Sequence, residues 1–186
     1  MMEATPLINS EAGSSMETWD ALTSRRNVRQ FADRPIEPET LDRVLEAGRR
    51  APSSRNWQPW DFVIVTDRAQ LQELSTVWQG AGHVADSAAT VALVVEDTDD
   101  QRTRETAQYD LGQATMAMMV AAADQGIGSG HSAVGDQQKA REVLGLPEDR
   151  RVAYLLDLGY PADRPLAPIK RPNRRPFDEV VHKGRW

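Results

Sequence analysis

The chain has 186 residues, of which 40% are hydrophobic and 27% charged, so it can bury one sizeable core but hardly two. Its net charge of -6 argues against a nucleic-acid footprint over the whole molecule, and the lack of cysteine excludes disulfides, thiolate metal ligands and thiol nucleophiles. No apolar run reaches the roughly 20 residues of a membrane span and the start has no secretory signal pattern, which predicts a soluble cytoplasmic protein.

Residues 1–15 are small and polar and are expected to form a disordered leader, so the single ordered domain should comprise residues 16–186. Trp19, Leu22 and the arginines that follow fit a short helix. After a proline-rich break, hydrophobic periodicity predicts helices interleaved with strands. Helices are predicted at residues 39–50, 68–77, 101–125 and 136–144, and strands at residues 61–65, 90–95 and 152–159.

Three features of these elements bear on the fold. The strand at residues 61–65 is almost continuously apolar, which indicates a sheet covered on both faces. The helix at residues 101–125 carries small residues that permit close packing of a buried central helix. The tail, residues 160–186, is rich in proline and arginine and has little core of its own, so it should lie against another subunit. Together these elements predict an α+β sandwich.

Residues 126–134 read Gly-Ile-Gly-Ser-Gly-His-Ser-Ala-Val, a glycine-rich connection that can include one more strand. The spacing is similar to that of a dinucleotide-binding loop. A Rossmann fingerprint, however, follows a strand, whereas these glycines follow a helical pattern, and its last position holds His131 here. We therefore regard the Rossmann interpretation as weak.

Basic residues form two local clusters within this acidic chain. Guanidinium groups recognise phosphate by paired donation, although an isolated Arg-Arg pair more often lies in solvent or bridges surface carboxylates. The clusters alone leave both interpretations open. They consist of Arg25, Arg26 and Arg29 near the start, and Arg171, Arg174 and Arg175 in the tail.

A second motif lies at residues 51–60, Ala-Pro-Ser-Ser-Arg-Asn-Trp-Gln-Pro-Trp. It reads as a polar turn before a strand. Its serine and asparagine side chains offer donors and acceptors to a polar heterocycle, while the simpler alternative is an ordinary turn. Together with the arginines, the motif suggests a bound phosphorylated cofactor.

The order and residue types of these motifs resemble the nitroreductase family of FMN-dependent oxidoreductases, over nearly the whole chain from about residue 19. The resemblance implies a central mixed, mainly antiparallel sheet flanked by helices, and a homodimer with exchanged C-terminal segments and FMN at the subunit interface. It implies ping-pong hydride transfer from NADH or NADPH through flavin N5 to a nitroaromatic, quinone or similar electron-poor acceptor. Two alternatives remain: a specialised flavin dehydrogenase, dehalogenase or flavin-fragmenting enzyme on the same scaffold, and a non-enzymatic flavin-binding module.

The same resemblance assigns residues to the FMN site. The phosphate, ribityl chain and pyrimidine side are assigned to Arg25, Arg26, Asn27 and Arg29, where the family usually has Ser in place of Asn27. The C-terminal phosphate ligands are Arg174 and its neighbour Arg175. The turn that reaches the flavin from the partner subunit supplies Pro52, Ser53, Ser54 and Asn56. The remaining contacts to the ring come from Gln79 and from backbone N–H groups of His131, Ser132 and Ala133.

No metal is predicted. The histidines His83, His131 and His182 lack metal-ligand spacing, and the acidic residues after the strand at residues 90–95 are typical of a strand end before a helix. No nucleophilic triad stands out. None is needed, because a flavin itself carries the hydride while the protein binds and orients it.

Overall fold

The computed structural model describes residues 16–186, and the predicted leader at residues 1–15 lies outside them. The described chain contains five α-helices and four β-strands. The helices are α1 (Thr18–Ser24), α2 (Pro38–Arg49), α3 (Arg68–Leu74), α4 (Gln101–Asp124) and α5 (Gln137–Leu144). The strands are β1 (Asp61–Val65), β2 (Ala89–Glu96), β3 (Gly128–Ser132) and β4 (Arg150–Gly159). Short 3₁₀ helices span Ser54–Asn56, Gly82–Asp86 and Phe177–Glu179.

The four strands form one sheet in the order β1-β2-β4-β3, and every neighbouring pair is antiparallel. A parallel bridge between Asn27 and Ser129 extends the sheet beyond β3. The prediction of a mainly antiparallel sheet flanked by helices is therefore confirmed. The glycine-rich connection also contains the additional strand, β3, that the sequence allowed.

Helices cover both faces of the sheet. On one face α2 and α4 pack over a cluster that includes Leu93, Met118 and Leu156, and on the other α3 and α5 pack over a cluster that includes Leu71 and Leu155. The apolar pattern of the strands thus reflects a sheet buried from two sides, as predicted. The strand that suggested it, β1, is nevertheless an edge strand and only partly buried.

α4 is the buried central helix that its small residues predicted. Asp100 caps it by accepting a hydrogen bond from the Thr103 N–H at 2.7 Å, which satisfies one of the free N–H groups of the first turn. It packs closely on α2, because a Cβ atom placed on Gly48 would lie 2.7 Å from Cγ of Met118. α4 and α2 therefore pack as a close pair on one face of the sheet.

The arginines after α1 do not continue the helix, so that part of the prediction is wrong. α1 ends at Ser24, and the chain then runs extended along the outer edge of β3. The Val28 N–H donates to Ser129 O at 2.9 Å, and the Ala32 N–H donates to Tyr160 O at 2.8 Å. Edge pairing, together with burial of Val28 to 1% exposure, outweighs the local helical preference of the arginines.

Beyond β4 the chain continues as residues 161–186, which we call the C-terminal arm. The Ala162 N–H donates to Gln30 O, and farther along the Ile169 N–H donates to Thr23 O. Most of the arm is exposed, including Phe177 at 72% and Trp186 at 100%. The prediction that the tail has little core of its own is confirmed. None of the helices within residues 16–186 is long and apolar enough to cross a bilayer.

Candidate functional site

The first arginine motif lies along the outer edge of β3, the edge that does not face β4. Because Ser129 O accepts a hydrogen bond from Val28 N–H, Ser129 turns its backbone polar groups away from β4. Alternation along a strand then directs the N–H of His131 to the same outer edge. Asn27 and Arg29, on either side of the buried Val28, are exposed. Backbone donors and polar side chains therefore meet at this edge.

The glycines of β3 allow this close approach. A Cβ atom on Gly128 would lie 2.5 Å from Cγ2 of Val28, and a Cβ atom on Gly130 would lie 2.6 Å from Val28 O. Real Cβ atoms do not come so close, so both positions require glycine. The glycines lie within the strand rather than in a turn between a strand and a helix, and the Rossmann interpretation is therefore wrong.

Arg25 brings a partly buried cationic group to the site. Its Nε atom is buried and has no hydrogen-bond partner among residues 16–186. Leaving a buried donor unpaired is unfavourable by about 1–3 kcal/mol, so such a group calls for a ligand or another partner. Arg25 lines a cavity of about 490 Å³ together with His131, Tyr154 and residues of α4. This arrangement suits an anion with a polar ring beside it.

Arg26 points to the C-terminal arm instead. Its Nη2 donates to Asp163 Oδ1 at 2.6 Å and to Arg164 O at 2.8 Å. The hydrogen bond from Arg26, supported by the Arg164 N–H, lowers the pKa of Asp163. Two bonds of the guanidinium are thus committed to the start of the arm. The Nε atom of Arg26, like that of Arg25, is buried without a hydrogen-bond partner among the described residues. Its role as a cofactor ligand stays a prediction.

The second motif forms a strained turn. Arg55, Asn56 and Gln58 adopt φ angles of 53°, 57° and 54°, in the left-handed region that non-glycine residues rarely enter. The Gln58 N–H donates to Ser53 Oγ at 2.9 Å, which closes the turn. Strain gathered in one exposed turn is typical of functional sites.

Asp110 anchors this turn, and sequence reasoning missed it. The side chain of Asp110 is fully buried on α4, where it accepts hydrogen bonds from the Ser54 N–H at 2.8 Å and from Ser54 Oγ at 3.2 Å. One signal was present in the sequence. An acidic residue stands among Ala107, Leu111 and Ala114 on the buried face of a central helix, where a carboxylate needs a specific partner.

A second cavity, of about 500 Å³, lies between this turn and the sheet. It is lined by Trp57 and Gln58 of the turn and by Ala133 after β3. It shares Gln108 and Tyr154 with the cavity of Arg25, so the two adjoin. The chain thus brings part of each motif to one continuous cleft beside α4. Tyr154, which lines both cavities, was not singled out in the sequence.

Two of the residues predicted to contact the ring, Ser132 and Gln79, line neither cavity. The donor predicted at Ser132 is its backbone N–H, and that assignment stays a prediction. The side chain of Ser132 is buried on the opposite face of the sheet, where Oγ lies 3.2 Å from His83 Nε2. Gln79 is exposed in the turn after α3. That turn is held near the end of β3, because the Gly135 N–H donates to Val77 O at 3.0 Å. The assignment of Gln79 to the ring also stays a prediction.

The predicted phosphate ligands of the arm, Arg174 and Arg175, form their hydrogen bonds within the arm. Arg174 Nη1 donates to Asn173 O at 2.7 Å, and Arg175 Nη2 donates to Glu179 O at 2.8 Å. No residue of the arm lines either cavity in the described part of the chain. Convergence of the two arginine clusters stays a prediction that requires a second copy of the protein.

The charge of the cleft comes from arginine rather than histidine. Burial lowers the pKa of His131, and the nearby Arg25 cation lowers it further, while Asp157 acts in the opposite direction. The first two effects favour the neutral form of His131. Of the two predicted arginines, Arg25 lines the first cavity, whereas Arg29 is exposed and its role toward a ligand stays a prediction.

The chain is similar to known proteins over most of its length. The model of the Nitroreductase family matches residues 22–86 and 73–160. NADH dehydrogenase from Thermus thermophilus is 30% identical over 195 aligned positions, which cover 87% of this chain and 93% of that protein. FMN reductase (NAD(P)H) from Bacillus subtilis is 27% identical over 187 positions, which cover 90% of this chain and 73% of that protein.

The fold also matches solved structures. The structure of an FMN-dependent nitroreductase from Clostridium difficile superimposes with a TM-score of 0.77 at 22% identity, covering 89% of this chain and 98% of that one. At this identity the comparison concerns the fold alone. The family model, by contrast, matches well over half of the sequence, including both motifs and β3. The chain belongs to the nitroreductase family.

Proposed function

We propose that this protein is an FMN-dependent NAD(P)H oxidoreductase whose residues 16–186 form one FMN-binding domain. The observation that carries the proposal is the buried, unpaired Nε of Arg25 beside the open edge of β3. A phosphate group accepts paired hydrogen bonds from a guanidinium, and a flavin ring offers polar atoms to backbone donors. The relative from Bacillus subtilis named FMN reductase (NAD(P)H) supports the same cofactor and electron donor.

The residues at the cleft fit FMN. Arg25 would hold the phosphate, Asn27 a ribityl hydroxyl, and the N–H groups of His131 and Ala133 the polar edge of the ring. Bound FMN would supply hydride transfer at its N5 atom. Arg29 and the His131 N–H would stabilise the negative charge that accumulates on the pyrimidine side of the ring, as preorganised donors do without reorientation.

The second cavity supports a planar, electron-poor acceptor. Its volume of about 500 Å³ lies within the usual range for small-molecule sites. Trp57 and Tyr154, two of its lining residues, are each nearly half exposed, so their rings are free to stack on an aromatic ligand. Because NAD(P)H and the acceptor would use the same cleft in turn, we propose a ping-pong order with a nitroaromatic or quinone as acceptor.

A homodimer would complete the site. Trp19 and Tyr109 are more than 70% exposed, and Tyr109 lines an open groove together with apolar residues of α4, including Met116 and Val120. A second copy would cover this surface and the exposed arm. It would also bring Arg174 of one subunit to Arg25 of the other. Light scattering that finds a monomer with its full complement of flavin would contradict the homodimer.

The first test is an absorbance spectrum of the purified protein, followed by titration with FMN and anaerobic addition of NADH or NADPH. We expect flavin bands that bleach on addition of the donor and return with a quinone. Arg25→Ala should weaken FMN binding by about 1.5–3 kcal/mol, whereas Arg102→Ala, an exposed arginine of α4, should not change it. Equal FMN affinity in both variants would contradict the assignment of Arg25.

The same assays distinguish the alternatives. Bound FMN that NAD(P)H reduces, but that no nitroaromatic or quinone reoxidises, would favour a specialised flavin reaction. Bound FMN that NAD(P)H does not reduce would favour a flavin-binding module. A protein that binds no FMN at all would exclude the proposed function.

A further inference from the structure

The strained turn at residues 53–58 and the buried Asp110 form one structural unit. Asp110 lies in the middle of α4 without solvent exposure, and a carboxylate buried in this way requires hydrogen-bond donors. It receives them from Ser54, through N–H at 2.8 Å and Oγ at 3.2 Å, and from Gln113 Nε2 at 3.4 Å. Both close donors thus belong to a single residue of the turn.

Ser54 stands just before the strained residues. Arg55, Asn56 and Gln58 hold left-handed backbone angles, which persist only where surrounding contacts fix them. The Asn56 N–H donates to Ser53 O at 3.0 Å and the Trp57 N–H donates to Ser54 O at 3.0 Å. These bonds are local to the turn, whereas the bonds of Asp110 tie it to a rigid helix.

We propose that Asp110 is a positioning residue that holds the turn in its strained conformation and thereby sets the affinity for FMN. This inference rests on the proposed function, since Ser53, Ser54 and Asn56 are assigned to the flavin. Asp110 itself is buried beneath the turn and acts through Ser54. If Ser54 is released from α4, the left-handed residues relax and Asn56 no longer presents its side chain to the ligand.

The central variant is Asp110→Asn, which keeps the shape of the side chain but replaces one acceptor oxygen with an amide that cannot accept. We expect the variant to fold and to raise the Kd for FMN at least tenfold. Asp124→Asn is the matched control, because Asp124 is a carboxylate of the same helix that contacts Met16 and Arg43 and not the turn. The control should bind FMN as the wild type does.

Limited proteolysis reports on the turn without any ligand. Arg55 is an exposed trypsin site inside the turn, and tight turns resist cleavage until they open. In the apo protein, cleavage after Arg55 should be at least tenfold faster in Asp110→Asn than in the wild type or in Asp124→Asn. If Asp110→Asn fails to fold, Ser54→Ala, which removes only the Oγ bond, should accelerate the same cleavage to a smaller extent.

A rescue separates positioning from a general loss of stability. Glycine adopts left-handed angles without strain, so Gln58→Gly should make the turn less dependent on its anchor. In that background, Asp110→Asn should raise the Kd for FMN less than threefold. A role limited to overall stability would lower the melting temperature equally in both backgrounds and would not direct cleavage to Arg55.

Two results would overturn the inference: wild-type FMN affinity in Asp110→Asn, or unchanged cleavage after Arg55 in a folded Asp110→Asn protein. If the proposed function itself is wrong, the wild-type protein will bind no FMN, which distinguishes that outcome from the two results above. The proteolysis of apo protein would still decide whether Asp110 holds the turn.

Discussion

His83 Nε2 lies 2.8 Å from Asp157 Oδ2, and both side chains are buried beneath the 3₁₀ helix that carries His83. The contact is close but is not an aligned hydrogen bond. Thr90 Oγ1 donates to the other carboxylate oxygen at 3.2 Å. Asp157 belongs to β4 beside β3, so this polar group supports the strand that forms the edge of the cleft.

Removing the imidazole should therefore destabilise the fold. In His83→Leu the Oδ2 atom of Asp157 stays buried and loses the polar atom nearest to it, which is unfavourable by about 1–3 kcal/mol. Urea unfolding should show a lower midpoint with an unchanged slope. His182→Leu, at an exposed histidine of the arm, should leave the midpoint unchanged. Equal midpoints in the two variants would show that the buried contact contributes nothing.

The glycines of β3 give a second prediction. In Gly130→Ala the new methyl group would meet the backbone oxygen of Val28 at 2.6 Å, and backbone cannot yield as a flexible side chain can. We expect a loss of about 1–3 kcal/mol in unfolding free energy, as for other overpacked sites, and weaker FMN binding. Gly82→Ala is the control, because its Cβ would have open space. A Gly130→Ala protein as stable as Gly82→Ala would disprove the close packing.

The regular elements could be predicted because their signals are local. The alternation of apolar and small residues fixed the positions of β2, β4 and α4 to within about two residues. The segment after α1 was misjudged because its conformation depends on pairing with β3, which lies about 100 residues later in the chain. No local preference of Arg25 or Arg26 contains that information.

The sequence indicated which residue types belong to the candidate site, but not which residues those side chains bond to. The motifs pointed to Arg25 and to the turn, and residues of both line the cleft. Arg26 instead bonds to Asp163 of the arm, and Asp110 lies outside any motif. Such pairings join distant parts of the chain. Arg174 is a different case, because its predicted partner belongs to a second subunit and a single chain cannot present it.

The ion pair of Arg26 and Asp163 predicts a pH dependence. Hydrogen bonds from Arg26 and from the Arg164 N–H lower the pKa of Asp163 below its unfolded value of about 3.9. The pair therefore stabilises the folded arm at pH values above about 4, and this stabilisation is lost as the pH falls through the lowered pKa. The gap in unfolding midpoint between wild type and Asp163→Asn should be constant from about pH 8 to 5 and shrink below about pH 4.

The control for this experiment is Asp178→Asn, a change at another exposed carboxylate of the arm. The difference in unfolding midpoint between wild type and Asp178→Asn should not follow the same pH profile. A gap between wild type and Asp163→Asn that persists unchanged at pH 3 would mean that the negative charge of Asp163 is not what holds Arg26.

His131 offers a test of the charge around Arg25. Burial, and then the cation of Arg25, lower the pKa of His131 below the value of about 6.5 expected in the unfolded chain. Between the lowered pKa of the folded state and the pKa of the unfolded state, the unfolded chain thus binds more protons than the folded chain. Stability should rise with pH across that window and level off above about pH 6.5. In His131→Gln this part of the pH dependence should disappear.

Arg25→Ala removes the second of these causes, so the pKa of His131 in an NMR titration should rise toward its ordinary value. FMN should act in the same direction in the wild type, because a phosphate paired with Arg25 offsets the positive charge that His131 experiences. FMN should then have little further effect in Arg25→Ala. If neither the substitution nor FMN changes the pKa of His131, the charge of Arg25 does not act on His131. The physical basis for placing the phosphate beside Arg25 would then be lost.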